Sequence, residues 1–188
     1  MSEMPVMRRR SAAQHVAIGV AVIVTLAFIG AGAVSAASGI VVQSVPPAIA
    51  LNLTSQNANV SISGVQGALD LHSGDGDGDV DVTSVSGPLR LSSDNGDVTG
   101  TGVTSPQAQA SSDDGDVDLT LTGVPTTVTA SSDNGNASVG VPHGPTAYLV
   151  SASTDNGNRS VGVRTDSAAD RHIVVDSSNG DVSVFYAS

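Results

Sequence analysis

Carboxylates are the side chains that recur here at a spacing suited to chemistry. Asp94 and Asp97 flank an Asn-Gly step, and Asp113 and Asp116 take the same places around Asp114-Gly115 nineteen residues later. Hard cations select clustered carboxylate oxygens, so these four are candidate calcium ligands. The run Asp75-Gly76-Asp77-Gly78-Asp79-Val80-Asp81 invites the same reading. It does not fit an EF-hand, which wants Gly where Val80 stands and a closing Glu. It also lacks the Gly-Gly-x-Gly-x-Asp pattern of calcium β-rolls. The favoured role for each Asp is a hydrated turn residue that caps neighbouring backbone amides. On that reading no cofactor is needed.

Other reactive groups are sparse. The four histidines (His15, His72, His143, His172) fall at unlike places in the repeat described below and do not converge on one site. There is no Gly-x-Ser-x-Gly elbow. Cysteine is absent, which excludes disulfides, zinc-thiolate sites and thiol catalysis. A polysaccharide lyase of the β-helix type is the enzyme alternative. It needs a calcium-binding Asp cluster and an Arg base, for which Arg90 or Arg159 stand nearest the aspartates. Aromatic residues to stack on sugar rings are nearly missing, since the only ones are Phe28, Tyr148, Phe185 and Tyr186. The expectation is therefore no enzyme. Beyond residue 38, 17 Asp face four Arg with no Glu or Lys, a net charge of −13. Such a body repels phosphate backbones, so nucleic acid is not the expected partner.

These residues are positioned by a repeat. Gly followed by Asp or Asn occurs at Gly78, Gly96, Gly115, Gly135, Gly157 and Gly180, with intervals of 18, 19, 20, 22 and 23 residues and a degenerate copy at Ala58-Asn59. A period near twenty marks a repeat architecture. Each copy carries an apolar pair before the corner, such as Leu69/Leu71, Leu89/Leu91 and Ile173/Val175. A second pair follows it, such as Val60/Ile62, Val117/Leu119 and Val182/Val184. Members of a pair are two apart and face the same side of a strand. Copy three offers only Val98 with Gly100, and copy six places Arg159 in an apolar slot. Each unit is strand, corner, strand and variable link. No unit buries enough surface to fold alone, so neighbours must share a thin aliphatic core. The expected fold is all-β, a solenoid of about seven short rungs stacked in sequence order. Stacking then aligns Asp94, Asp113, Asp133 and Asp155 in one column and Asp97 with Asp116 in another. The competing architecture is an up-and-down meander turning at the Asn-Gly steps.

The segments SSDNGDV at Ser92–Val98, SSDDGDV at Ser111–Val117, SSDNGNA at Ser131–Ala137 and SSNGDV at Ser177–Val182 resemble the bacterial toast-rack repeat family, adhesin-like domains of unknown function. The resemblance covers about residues 49–188. It implies a right-handed β-helix-like ectodomain behind an N-terminal membrane segment, with no established catalytic residues. Copies one and six depart from the pattern, which implies irregular edge units.

Val16 to Val34 is nineteen residues without a charge, directly after Arg8-Arg9-Arg10 and His15. As a helix it extends about 28 Å, near the hydrocarbon thickness of a bilayer. The arginines should stay cytoplasmic. The organisation expected is a cytoplasmic N-terminus over 1–14, a transmembrane anchor or signal peptide over 15–37, a linker over 38–48 and the repeat domain over 49–188. A retained single-pass anchor is favoured, with small residues at Val34-Ser35-Ala36 offering a cleavage site if the segment is a signal peptide instead. The function expected is a membrane-anchored, extracytoplasmic, adhesin-like interaction domain that meets an envelope protein or glycan. A cell-envelope stress sensor working through a membrane partner is the alternative.

Overall fold

The computed structural model describes residues 40–43 (as a strand path), 50–56, 58–74 and 76–188. The anchor expected over 15–37 lies outside them. Among the described residues no helix is long and apolar enough to cross a membrane.

Two parallel sheets face each other. One holds β2 (Leu51–Ser55), β4 (Leu69–Ser73), β6 (Leu89–Ser93), β8 (Gln107–Ser112), β10 (Thr127–Ser132), β12 (Leu149–Thr154) and β14 (His172–Ser177). The other holds β1 (Ile40–Gln43), β3 (Val60–Ser63), β5 (Val80–Thr83), β7 (Val98–Val103), β9 (Val117–Leu121), β11 (Ala137–Pro142), β13 (Arg159–Val161) and β15 (Val182–Ala187). The sheet thus begins within the segment read as a linker, because β1 pairs with β3. Every pairing is parallel, which removes the meander. Each rung is one strand from each sheet, and seven such rungs stack about 4.8 Å apart.

The apolar pairs point inward as their period of two requires. Leu71, Leu91, Val117, Leu119, Ile173 and Val175 are fully buried. The core is thin, and large side chains in one layer meet small ones in the next. Gly100 takes an apolar slot because a Cβ there would lie 2.7 Å from a methyl of Leu119 on the neighbouring rung.

The corner glycines serve a different purpose from the one their hairpin-like sequence suggests. Positive φ occurs at Gly64, Ser84 and Gly102, on other corners, and not at Gly96, Gly115, Gly135 or Gly180. At each of these four, a Cβ would overlap the carbonyl of the glycine one rung earlier. The requirement is close approach of backbone to backbone, which only glycine allows.

Rung order departs from sequence order. The strands run β10–β14–β12 in one sheet and β11–β15–β13 in the other, so the last rung of the chain is inserted beneath the penultimate one. Arg159 supplies the physical reason. Its slot is an inward one, in register with buried Val182. Sequential stacking would seal a guanidinium between Ala137 and Val182, at an effective cost of several kcal/mol. At the end of the stack the side chain instead folds over the open core and donates from Nη1 to the Ala152 carbonyl at 3.4 Å. An inward charge on an edge strand also blocks further stacking.

Two measurements check this architecture. Ser131 and Asp176 are register partners on β10 and β14, so Ser131→Cys with Asp176→Cys should close an intramolecular disulfide on mild oxidation. Ser131→Cys with Ser153→Cys, adjacent only in sequential order, should stay reduced on non-reducing gels. Gly115→Ala should cost about 3 kcal/mol in denaturant melts, whereas Gly144→Ala, with nothing within 4 Å of the added carbon, should leave stability unchanged.

Candidate functional site

The acidic corner is the first candidate. Asp97, Asp116, Asn136, Asp181 and Asn158 form one column with Asn59 and Asp79 before them. Through this column each Oδ1 accepts the backbone N–H one rung on: Asp97 N–H to Asp79 at 3.1 Å, Asp116 N–H to Asp97 at 2.8 Å, Asn136 N–H to Asp116 at 2.7 Å. The ladder continues through Asn136 and Asp181 to Asn158, with donor–acceptor distances of 2.8 and 2.7 Å. These carboxylates therefore cap backbone amides, and the donors offset the repulsion of Asp97 stacked on Asp116.

The second column differs from sequence expectation. Asp94, Asp113 and Asp133 follow one another, but Ser178 of the inserted rung stands next, between Asp133 and Asp155. The four-carboxylate column is corrected to three, since nothing in the unit sequences reveals the exchange of rungs. Among the described residues no three His, Asp or Glu side chains are grouped so as to hold a metal ion.

Beneath the corner runs a column missed in the sequence. Ser93, Ser112, Ser132 and Ser177 point inward and are buried. Each Oγ accepts the N–H of the glycine three residues on, as in Ser112 to Gly115 at 2.9 Å and Ser132 to Gly135 at 2.8 Å. Each also donates to the glycine carbonyl one rung away, as in Ser112 to Gly96 and Ser132 to Gly115, both at 2.8 Å. Thr154 continues the pattern onto Gly180 at 2.7 Å. The signal was available: the second Ser of each Ser-Ser pair has inward parity with Leu91 or Ala110. Ser73 breaks the pattern. Extra residues lie between it and Gly78, which holds the glycine place in the column, and the buried Ser73 Oγ has no hydrogen-bond partner among the described residues.

The second candidate is a groove of about 670 Å³ on the outer face of the seven-stranded sheet. Its floor is the small row Ala50, Ala68 and Pro88, continued by Gln107 and Thr127. Beside it stand register partners Asn52, Asp70, Arg90, Gln109 and Thr129, one per rung. Asn52 Nδ2 reaches Asp70 Oδ2 at 3.5 Å. Arg90 is exposed in this row, while Arg159 lies at the far end of the stack. The two arginines considered for base chemistry thus sit apart and outside the acidic corner.

A parallel stack of rungs is the architecture that the repeated motif implied, and a Ser-x-x-Gly clamp at four of its corners is what the structure adds. The sequence model described as Toastrack DUF4097 matches residues 29–185. The chain belongs to the Toastrack family. No curated protein and no solved structure matches it. The Toastrack match spans all described rungs and carries no assigned activity.

One carboxyl on the acidic edge of this Toastrack domain holds its proton unusually tightly. Burial on the outer face of β5, then the nearby charges of Asp79 and Asp97, push the Asp81 carboxyl above its ordinary value. The folded state thus holds this proton more tightly than the unfolded one. As far as Asp81 is concerned, folding is most favoured below the ordinary carboxylate pKa and loses ground as pH climbs through the raised value. Asp81→Asn should therefore raise the melting temperature at pH 7, and the gain should vanish near pH 3.

Proposed function

We propose that this Toastrack chain is a non-enzymatic interaction domain, held at the membrane by its N-terminal apolar segment and displayed outside the cytoplasm. Its contact surface on this reading is the groove on the seven-stranded sheet. The observation that carries the reading is the row of hydrogen-bonding side chains, Asn52, Asp70, Arg90, Gln109 and Thr129, held at fixed rung spacing beside a floor of small residues. A parallel sheet makes this row rigid, so a ligand meets donors and acceptors already in place and little ordering cost is added on binding. The backbone groups of the sheet are satisfied within it, so the ligand is read by side chains and not by strand addition. An extended, uncharged polar chain, such as a cell-envelope glycan, laid along the stack meets a new set of side chains about every 4.8 Å. The strongly acidic corners favour a neutral ligand over an anionic one.

The test is binding of the full-length chain to arrayed envelope glycans and proteins, compared with the double variant Arg90→Ala/Gln109→Ala. Removing two hydrogen-bonding side chains, at about 1 kcal/mol each, should raise Kd about tenfold or more. Asp118→Asn, on the opposite sheet, should bind as the parent does. Equal binding by the groove variant and the parent would refute the groove as contact surface.

A further inference from the structure

The chain completes β11 at Pro142, passes over one layer to lay down β12 and β13, then returns through residues 162–171 to fill that layer with β14 and β15. The filled layer is sealed on both sides. In one sheet β14 pairs over six residues with β10 and over six with β12. In the other, β15 pairs with β11 and β13. Ile173, Val175, Val182 and Val184 complete the core there. The corner columns pass through it without a break: Ser177 Oγ donates to the Gly135 carbonyl and Asp181 N–H to Asn136 Oδ1, both at 2.8 Å.

We propose that the layer between β10–β11 and β12–β13 is an exchangeable slot, filled within one chain by residues 172–187 and between chains by the same residues of a second copy. The proposal is independent of the groove.

Three features support it. First, the strand pairings and corner contacts that seat the inserted rung are made to residues of the adjoining rungs, so residues 172–187 of another copy satisfy them equally. The link adds only the Gly162 and Arg164 amides, donated to the Val184 carbonyl and the Tyr186 hydroxyl. Only the effective concentration set by the tether favours the chain's own segment, and for a short link that is in the millimolar range. Second, in sequence order each earlier rung from β4 to β11 is joined to its neighbours on both sides and cannot leave without disturbing them. The inserted rung is tied to the described stack by one covalent link, residues 162–171. Seven of those ten, 162, 164–168 and 170, are solvent-exposed, while Ala169 and Arg171 are half-buried and Val163 is buried. Fully extended, that link reaches about 33 Å, several rungs' worth. Third, the slot has somewhere to go when empty. With β14–β15 out, β12–β13 can descend one layer in the same register, placing Val150 over Val128, Ala152 over Ala130 and the Asn158 amide on Asn136 Oδ1. Arg159 then remains on the end of the stack. The two arrangements differ by one rung's contacts, and a reciprocal exchange between two copies restores those contacts in a closed two-fold pair.

The chain has no cysteine, so engineered thiols report the exchange directly. Full-length Ser131→Cys and full-length Asp176→Cys, distinguishable by mass, are mixed at high concentration, warmed to just below the melting temperature, cooled and oxidised. Exchange brings the two thiols into register across β10 and β14 of different chains. The expected result is a mixed disulfide at least tenfold above that of a control mixture of Ser131→Cys with Ser111→Cys, whose residue lies in a rung fixed on both sides. The double variant Ser131→Cys/Asp176→Cys, oxidised as a monomer before warming, should give no dimer. A mixed disulfide no more abundant than the control, or dimerisation of the pre-oxidised chain at the same level, overturns the proposal.

Discussion

A buried hydroxyl decides how closely one turn of this chain can lie on the next. At four corners the inward Ser takes the amide hydrogen of its own glycine and gives its proton to the glycine carbonyl of the adjacent rung. Two backbone groups that burial would otherwise orphan are satisfied by one small side chain. Glycine follows as a necessity, because any Cβ would occupy the space the neighbouring carbonyl needs. The clamp also explains how so thin a core suffices. Val, Leu and Ala fill the space between the sheets, while the corners are fixed by hydrogen bonds at both ends of each hydroxyl.

The acidic column outside the clamp follows the same directional logic. An Asp or Asn oxygen on one rung captures the amide of the next, and the donor partly neutralises the charge. Asn at Asn59, Asn136 and Asn158 interrupts the run of carboxylates, and the Nδ2 of Asn136 reaches back to Asp116 at 3.2 Å. At Asp81, desolvation on the sheet face and then the charges of Asp79 and Asp97 hold the proton more tightly. Asp97 and Asp116, two of the four aspartates read in the sequence as candidate ion ligands, accept backbone amides in the structure.

Much of this was legible from spacing. The period set the rungs, and the parity of Leu89, Leu91, Val117 and Leu119 put them in the core, where they are. The irregular copies one and six lie in the first full rung and at the far end. Rung order was not legible, because Val150/Ala152 and Ile173/Val175 fit the same register on Val128/Ala130. The cost of enclosing Arg159 separates the two orders, and that cost belongs to the neighbours and not to the unit. The inward serines were hidden by their polarity, and the groove by its dependence on which small residues share a row. Ala50, Ala68 and Pro88 are twenty residues or so apart and form a floor only once the sheet register is known.

The distribution of aromatic rings has a practical consequence. Among the described residues Tyr148, Phe185 and Tyr186 are the only rings of that kind, and all three belong to the out-of-order end. Tyr148 is enclosed, Tyr186 accepts the Arg164 amide hydrogen at 3.0 Å, and its ring centroid lies 4.7 Å from that of His143. With no tryptophan in the chain, tyrosine emission and tyrosine near-ultraviolet dichroism come from this end of the stack, while the other described rungs stay optically silent. The unlabelled molecule therefore carries its own gauge of whether its final layer is seated.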